Sequence, residues 1–461
     1  MKQDTIAAIS TPLGYSGIGI VRMSGEKSFS IAKKIFLPGK KRKMCWERSF
    51  KMHYGWIIDP RTKEVVDEVL LSLMKAPSTY TREDIVEINC HGGPVALRRV
   101  LDICLSQGAR LAKPGEFTLR AFLNGRIDLS QAESVLDIVQ AETEKSLKMA
   151  VNALRGSLSR TINHLRDKMV ELLSCIEAEI DFCEEDIEIL SKHRKEKIIS
   201  DLLRDIKELI EKAKTSQIYR EGIKVVILGK VNVGKSSLLN SLLEKERAIV
   251  STIPGTTRDT IEEMINIEGY PCRIIDTAGF CQVKDEVEKE SIKRTLLSLK
   301  QADIVILMVD GSSPLEKQDF EIFSFVKELK KELIVVINKI DLPLKMDEEI
   351  LEKNFPSSPP VKISATRGIN IEKLKEKIKT LILKKLVPSS DEFMINLRHK
   401  NLLEKAHMSL ERAQKALKEK LSEEFIAVEL REAIGYLDEI TGRKLEGEVL
   451  ERIFSNFCIG K

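Results

Sequence analysis

The segment IKVVILGKVNVGKSS, residues 223–237, constrains the fold more than any other part of the chain. An apolar run of strand length enters a glycine-rich turn, and LLNSLL follows at helical spacing. Gly229 to Ser236 fits the G-x-x-x-x-G-K-[ST] phosphate-loop pattern. Three further apolar runs, RIIDTAG, DIVILMVD and ELIVVINKID, alternate with charged, helix-like segments. Strand, loop and helix repeated in that order predict a doubly wound, mostly parallel α/β domain.

The loops after those strands carry the chemistry. Gly229 and Gly234 let backbone N–H groups turn toward phosphates, Lys235 supplies a cation to the β and γ oxygens, and the Ser236 hydroxyl suits Mg²⁺. DTAG places the Asp276 carboxylate near the magnesium and the Gly279 N–H near the γ-phosphate. NKID selects the base, because the Asp341 carboxylate can accept from both N1–H and the 2-amino group of guanine, a donor pair that adenine lacks. The nucleotide is therefore read as GTP or GDP. The SAT run places Ser364 and Ala365 where a further base-contacting loop belongs, and Thr257 in STIPGTTRDT is the expected switch ligand for magnesium. The predicted nucleotide site comprises Gly229, Asn232, Val233, Gly234, Lys235, Ser236 and Ser237, then Ser251, Thr252, Ile253, Pro254, Gly255, Thr256 and Thr257. It continues through Asp276, Thr277, Ala278 and Gly279 to Asn338, Lys339, Asp341, Ser364 and Ala365.

Composition limits what surrounds this domain. A chain of 461 residues corresponds to roughly three domains of about 150 residues each. Charged residues make up 32% and nearly cancel to +4, so bulk charge does not announce nucleic acid, and any RNA contact must be local. The basic runs GKKRK and HRKEK read as solvated surface that a tRNA could use. Eight scattered cysteines without a CxxC pair suggest neither zinc nor a disulfide framework, and no apolar run approaches a membrane span. The expectation is a cytoplasmic protein with no membrane association. Helical periodicity flanks the phosphate-loop block on both sides. Ile162, Leu165, Met169, Leu172, Ile176 and Ile180 form one stripe, KIISDLLRDIKELIEK continues it, and NLLEKAHMSLERAQKAL resumes it near the C-terminus. The expected organisation is residues 1–120, 121–218 and 381–461 around an inserted domain at 219–380, the two helical stretches joining into one discontinuous domain.

The ordered loop motifs resemble the translation-factor-like GTPases, and GTTRD narrows the likeness to bacterial RNA-associated members with a Ras-like P-loop domain. The flanks decide further. DTIAAISTPLGYSGIGIVRMSG, YTREDIVEINCHGGP, KPGEFTLRAFLNGRIDLSQAES and the terminal FCIGK look like the MnmE (TrmE) tRNA-modification GTPases, so the resemblance runs from Asp4 to Lys461. It implies an N-terminal α+β domain that dimerises and, with the C-terminal tail, binds a methylene- or formyl-tetrahydrofolate (5,10-methylenetetrahydrofolate, with 5-formyltetrahydrofolate as analogue). The matching positions are Arg22, Glu87, Arg126 and Lys461. Residue chemistry suggests that Glu87 meets the pterin donors and Arg22 or Arg126 the folate carboxylates.

The family likeness also implies how GTP is hydrolysed. Phe280 stands where Ras-like enzymes carry the water-orienting Gln, and the resemblance supplies K⁺ instead, held by Asn232, Ser251, Ile253 and Thr256. Glu288 matches the family's catalytic glutamate, while Cys281 replaces an arginine common in that region. Read alone, Asn232 is also an ordinary polar loop residue. Cys458 is either a catalytic or stabilising group beside the folate or a small packing residue, and His91 in CHGG is either structural or within reach of the folate. The activity implied is a potassium-activated GTPase that works with an FAD-dependent partner enzyme. Together they would install a carboxymethylaminomethyl or aminomethyl group at the 5-position of a tRNA wobble uridine. A ribosome-assembly GTPase without one-carbon chemistry is the alternative, and a folate-binding scaffold with a structural nucleotide domain is a third.

Overall fold

The computed structural model describes residues 4–39, 46, 48–181, 189–244, 262–276, 299–386, 393–444 and 447–461. Near the N-terminus, strands β1 (Ile6–Ile9), β2 (Gly19–Ser24), β3 (Phe36–Pro38), β4 (Lys51–Ile58), β5 (Val65–Met74), β6 (Ile85–Cys90) and β7 (Arg110–Leu111) form one sheet in the order β3-β4-β5-β6-β2-β1-β7. All its pairings are antiparallel except β1 with β7. Alternation along β5 buries Val69, Leu71 and Leu73 and turns Leu70 outward, the period-two signature of a sheet with one covered face. The covered face packs on helices α1 (Ser28–Ile35) and α2 (Pro94–Ser106), with Val21, Met23, Ile57, Ile88 and Leu97 among the buried side chains. On the opposite face, α3 (Glu116–Leu123) contributes Phe117 to a smaller cluster with Ile6 and Ala8.

Helices α4 (Leu129–Val139), α5 (Glu144–Leu154), α6 (Ser157–Asp181) and α7 (Lys192–Glu221) follow. The stripe expected along α6 is buried at Ile162, Leu165, Met169, Leu172 and Ile176, and Ile180 is half-buried. The phosphate-loop domain then begins with β8 (Ile223–Leu228) and α8 (Lys235–Glu244). Strands β9 (Glu262–Ile267), β10 (Tyr270–Asp276), β11 (Ile304–Asp310), β12 (Glu332–Asn338) and β13 (Val361–Lys362) complete a sheet ordered β13-β12-β11-β8-β10-β9. Only the β9–β10 pairing is antiparallel. Residues 304–309 of β11 are all buried, as expected for a central parallel strand covered on both faces. Helices α9 (Lys317–Glu328), α10 (Glu348–Asn354) and α11 (Ile371–Lys385) belong to this domain.

The chain ends in α12 (Leu397–Lys418), α13 (Glu423–Thr441) and α14 (Gly447–Phe454). Helices α6 and α13 pack against one another, and Arg166 Nε pairs with Asp438 Oδ1 at 2.6 Å. Lys195 is buried between the carboxylates of Glu179 and Glu423, 2.8 Å from the latter, so its ammonium is not left unpaired in an apolar setting. Two compact units emerge: Met1–Leu136, Ala153–Leu202 and Lys405–Lys461 form one, and Asp137–Asn152 and Leu203–Glu404 the other. The expected boundaries at 120, 218 and 380 fall inside α3, α7 and α11. Among the described residues, no helix is long and apolar enough to cross a membrane.

Candidate functional site

The phosphate loop lies between β8 and α8, where the sheet's carboxyl edge meets a helix N-terminus. Lys235 is buried, and its Nζ donates to the carbonyl oxygens of Gly229 at 3.1 Å and Lys230 at 2.9 Å. Gly234 has φ +100°, and a Cβ there would lie 2.3 Å from Asn338 Nδ2, so both conformation and space demand glycine. Asn232 is exposed with φ +66°, and Ser236 is exposed at the start of α8, while Val233 is buried beneath them. Lys230 Nζ reaches Asp319 Oδ2 at 2.7 Å, and Asp319 also caps α9 by accepting from Glu316 N at 2.8 Å. One buried carboxylate thus ties the phosphate loop to a helix terminus.

The base-side loops are joined by Asn338, which is buried. Its Nδ2 donates to Val233 O at 2.8 Å and its Oδ1 accepts from Ala365 N at 2.9 Å, linking three loops through one side-chain amide. Lys339 has φ +65° and its Nζ pairs with Asp310 Oδ2 at 2.6 Å. Burial pushes the Asp310 carboxyl up, but hydrogen bonds from Lys339 and Ser312 outweigh it and hold the group below the ordinary carboxylate range. Asp341 Oδ1 is buried with no hydrogen-bond partner, whereas Oδ2 lies 3.4 Å from Arg367 Nε. The Ser364 hydroxyl, then the Arg367 and Lys339 charges, lower the Asp341 pKa and keep it ionised. An ionised carboxylate whose Oδ1 has no hydrogen-bond partner fits a base edge that presents paired N–H donors. Ser364 and Ala365 are buried next to it.

Several sequence-predicted residues lie outside the described residues: Ser251, Thr252, Ile253, Pro254, Gly255, Thr256, Thr257, Thr277, Ala278, Gly279, Phe280, Cys281 and Glu288. The Asp276 side chain does also, although its backbone ends β10.

A second cluster forms on the N-terminal sheet. The β2–β6 register pairs Arg22 with Glu87, and Arg22 Nε donates to Glu87 Oε1 at 2.7 Å. Glu87 and Arg22 therefore meet each other before either meets a ligand. Arg22 Nη1 also reaches Gly460 O at 3.3 Å, and its guanidinium lies 5.6 Å from the Phe117 ring centre. Arg126 is exposed, with its guanidinium 4.7 Å from the Tyr80 ring centre. The C-terminal tail joins this cluster through its backbone: Phe117 N donates to Lys461 O at 3.1 Å and Gly115 N to Cys458 O at 3.4 Å. Phe457 is buried while Cys458 is exposed, so the tail anchors through the phenyl ring and presents the thiol to solvent. His91 Nδ1 lies 2.6 Å from Asp67 Oδ1, with the imidazole mostly exposed. Sequence reasoning missed Asp310, Asp319, Arg367 and Tyr80. Their pairings with Lys339, Lys230, Asp341 and Arg126 are distant along the chain, so local spacing does not reveal them.

Comparison with known proteins decides the family. A model for the MnmE helical domain matches residues 129–458, and a model for the GTP-binding protein TrmE N-terminus matches residues 5–126. A tRNA modification GTPase MnmE from Acetivibrio thermocellus is 45% identical over 461 residues, covering all of both chains. The chain belongs to the MnmE family. Other relatives of that name include one from Thermoanaerobacter pseudethanolicus, 46% identical over all of both chains, and one from Clostridioides difficile, 45% identical over 99% of both. Among solved structures, an Era variant of Aquifex aeolicus bound to GDP and aluminium fluoride is 35% identical over 40% of this chain and 67% of its own, with a TM-score of 0.29. The G domain of Thermotoga maritima FeoB is 30% identical over 35% of this chain and 98% of its own, with a TM-score of 0.28.

Proposed function

We propose that this MnmE-family chain is a GTP hydrolase of tRNA modification, activated by potassium. The observation that carries the nucleotide reading is the buried, unpartnered Asp341 Oδ1 on the frame that Asn338 builds between the phosphate loop and the SAT loop. Guanine N1–H and its 2-amino group are the complementary donors. Gly229, Gly234 and Lys235 would bind the phosphates, with Lys235 Nζ exchanging its carbonyl partners for phosphate oxygens.

The oxygen donors named from the sequence suit two cations by their chemistry, and Ser236 and Asn232 are those among the described residues. Ser236, exposed at the start of α8, would hold Mg²⁺ together with Thr257, and Asn232 would hold K⁺ together with Ser251, Ile253 and Thr256. Bound there, the ions would offset charge developing on the transferred phosphate. Glu288 is assigned to orienting the attacking water. In this reading the Arg22, Glu87, Arg126 and Lys461 cluster receives a tetrahydrofolate one-carbon donor, with Cys458 presented nearby, and residues 1–120 form a homodimer. The carbon would be installed at the 5-position of a tRNA wobble uridine, in the cytoplasm, together with an FAD-dependent partner enzyme. The proposed division assigns residues 121–218 and 381–461 to a helical domain and residues 219–380 to the GTPase domain.

The test needs neither partner nor tRNA. GTP hydrolysis by the purified chain is expected to run about tenfold or more faster in potassium than in matched sodium buffer, a floor beneath the roughly hundredfold or more that one electrostatic stabiliser supplies at a transition state. Equal rates would remove the potassium site and leave the guanine reading standing.

A further inference from the structure

The SAT residues lie within a short hairpin closed by backbone hydrogen bonds. Ser364 N donates to Ile369 O and Ile369 N to Ser364 O, both at 3.1 Å, closing a short hairpin over residues 364–369. Gly368 takes φ +66° within it, and Arg367 N donates to Ser364 Oγ at 3.3 Å. The hairpin is joined to the base-recognition loop as well. Ile340 N donates to Ile363 O at 3.2 Å, and Ala365 N to Asn338 Oδ1 at 2.9 Å. Arg367 and Asp341 therefore stand on one hydrogen-bonded frame, and the guanidinium Nε lies 3.4 Å from Asp341 Oδ2.

We propose that Arg367 is a positioning residue for guanine recognition: it fixes the plane of the Asp341 carboxylate that the base edge meets. This rests on the guanine reading above and adds a residue to it. A carboxylate offers about four lone-pair sites, so the contacts to Arg367 and the Ser364 hydroxyl leave room for base donors, and Oδ1 has no hydrogen-bond partner. Without the guanidinium, the carboxylate can rotate and water can compete for it, and the edge-on, two-point contact to N1–H and the 2-amino group weakens. Arg367 is 68% exposed, which bounds the size of the effect. A solvated ion pair contributes at most about fivefold to any equilibrium it is coupled to.

The experiment measures GDP and IDP binding to the full chain carrying Arg367→Ala or Arg367→Lys. IDP lacks the 2-amino group and so reads only one arm of the two-point contact. Arg367→Ala is expected to weaken GDP by about three- to fivefold and IDP by less, narrowing the preference for GDP, while kcat at saturating GTP stays unchanged and Arg367→Lys restores most of the loss. Unchanged GDP affinity would overturn the proposal. Equal losses for GDP and IDP would also overturn it, because they would assign Arg367 to the face of the base rather than to the Asp341 edge. Asp341→Asn separates this outcome from failure of the guanine reading itself. An amide there presents one acceptor and one donor, matching the N1–H and 2-oxo group of xanthine, so preference should move from GDP to XDP. No such shift would remove the guanine assignment, whereas a shift without an Arg367 effect would remove only the role of Arg367.

Discussion

At the scale of single residues, charge is placed where a fixed partner controls it. His91 is a clear case, because its imidazole is mostly exposed yet Asp67 holds Nδ1 at 2.6 Å and also accepts from His91 N at 2.9 Å. The hydrogen bond to Asp67, reinforced by its charge, raises the His91 pKa above the usual histidine value. A raised folded-state pKa means that the pair stabilises the fold fully below the unfolded value of about 6.5 and loses that contribution as pH rises through the folded value. Imidazole resonances followed by NMR should therefore show His91 titrating above about 6.5, and Asp67→Asn should return it toward that value. Asparagine keeps one acceptor for the backbone contact, so the change reads charge rather than collapse of the turn. A His91 titration that does not move in Asp67→Asn would mean the contact is a neutral hydrogen bond.

At the scale of elements, the C-terminal tail shows how backbone geometry makes a surface that side chains alone do not predict. Gly460 has φ +96°, and a Cβ there would sit 2.5 Å from Ile9 O, so glycine is required both for conformation and for close approach to β1. Gly460→Ala should cost the docked tail about 1–3 kcal/mol and release it while the core remains folded. Hydrogen exchange reports this directly, since the Phe117 amide is protected by Lys461 O at 3.1 Å. Its exchange should accelerate by about tenfold or more, and unchanged protection would mean that the tail tolerates the methyl group. The same element shows where sequence reading stopped. FCIGK was legible as a motif, and its ring-buried, thiol-exposed posture was not, because donors at Gly115 and Phe117 lie far away along the chain. The phosphate loop and the Asn338–Asp341 loop were legible because their chemistry needs particular residue types at short, fixed spacing directly after strands. The pairing of Arg22 with Glu87 came instead from strand register, and that of Asp341 with Arg367 from a folded hairpin, neither of which is written in local spacing. The α6 stripe was readable from its period alone, down to a single half-buried end at Ile180.

At the scale of the whole molecule, one half of a face of the N-terminal sheet carries exposed apolar side chains among the described residues. Cross-strand partners share a face, so the register that places Tyr54 opposite Leu70, Leu70 opposite Asn89, and Ser72 opposite Glu87 puts an apolar group on the same face as the Arg22–Glu87 pair. Phe117 closes the β1 side of that face, but Met52, Tyr54 and Leu70 remain 61%, 53% and 42% exposed. Exposed apolar side chains that share one face are a candidate interface, and a self-complementary one would close as a two-fold dimer. The homodimer proposed above is assigned to this face of the sheet. Placing a carboxylate at its centre tests this, because Leu70 is exposed and Leu70→Glu leaves the sheet's buried residues untouched. Light scattering coupled to size exclusion should find the parent chain at twice its chain mass and Leu70→Glu at the single-chain mass, since a buried, unpaired carboxylate on each side of a two-fold axis costs several kcal/mol. A Leu70→Glu variant that keeps the dimer mass would move the interface off β4 and β5, and the Arg22–Glu87 cluster would then stand on an open face rather than beside a partner subunit.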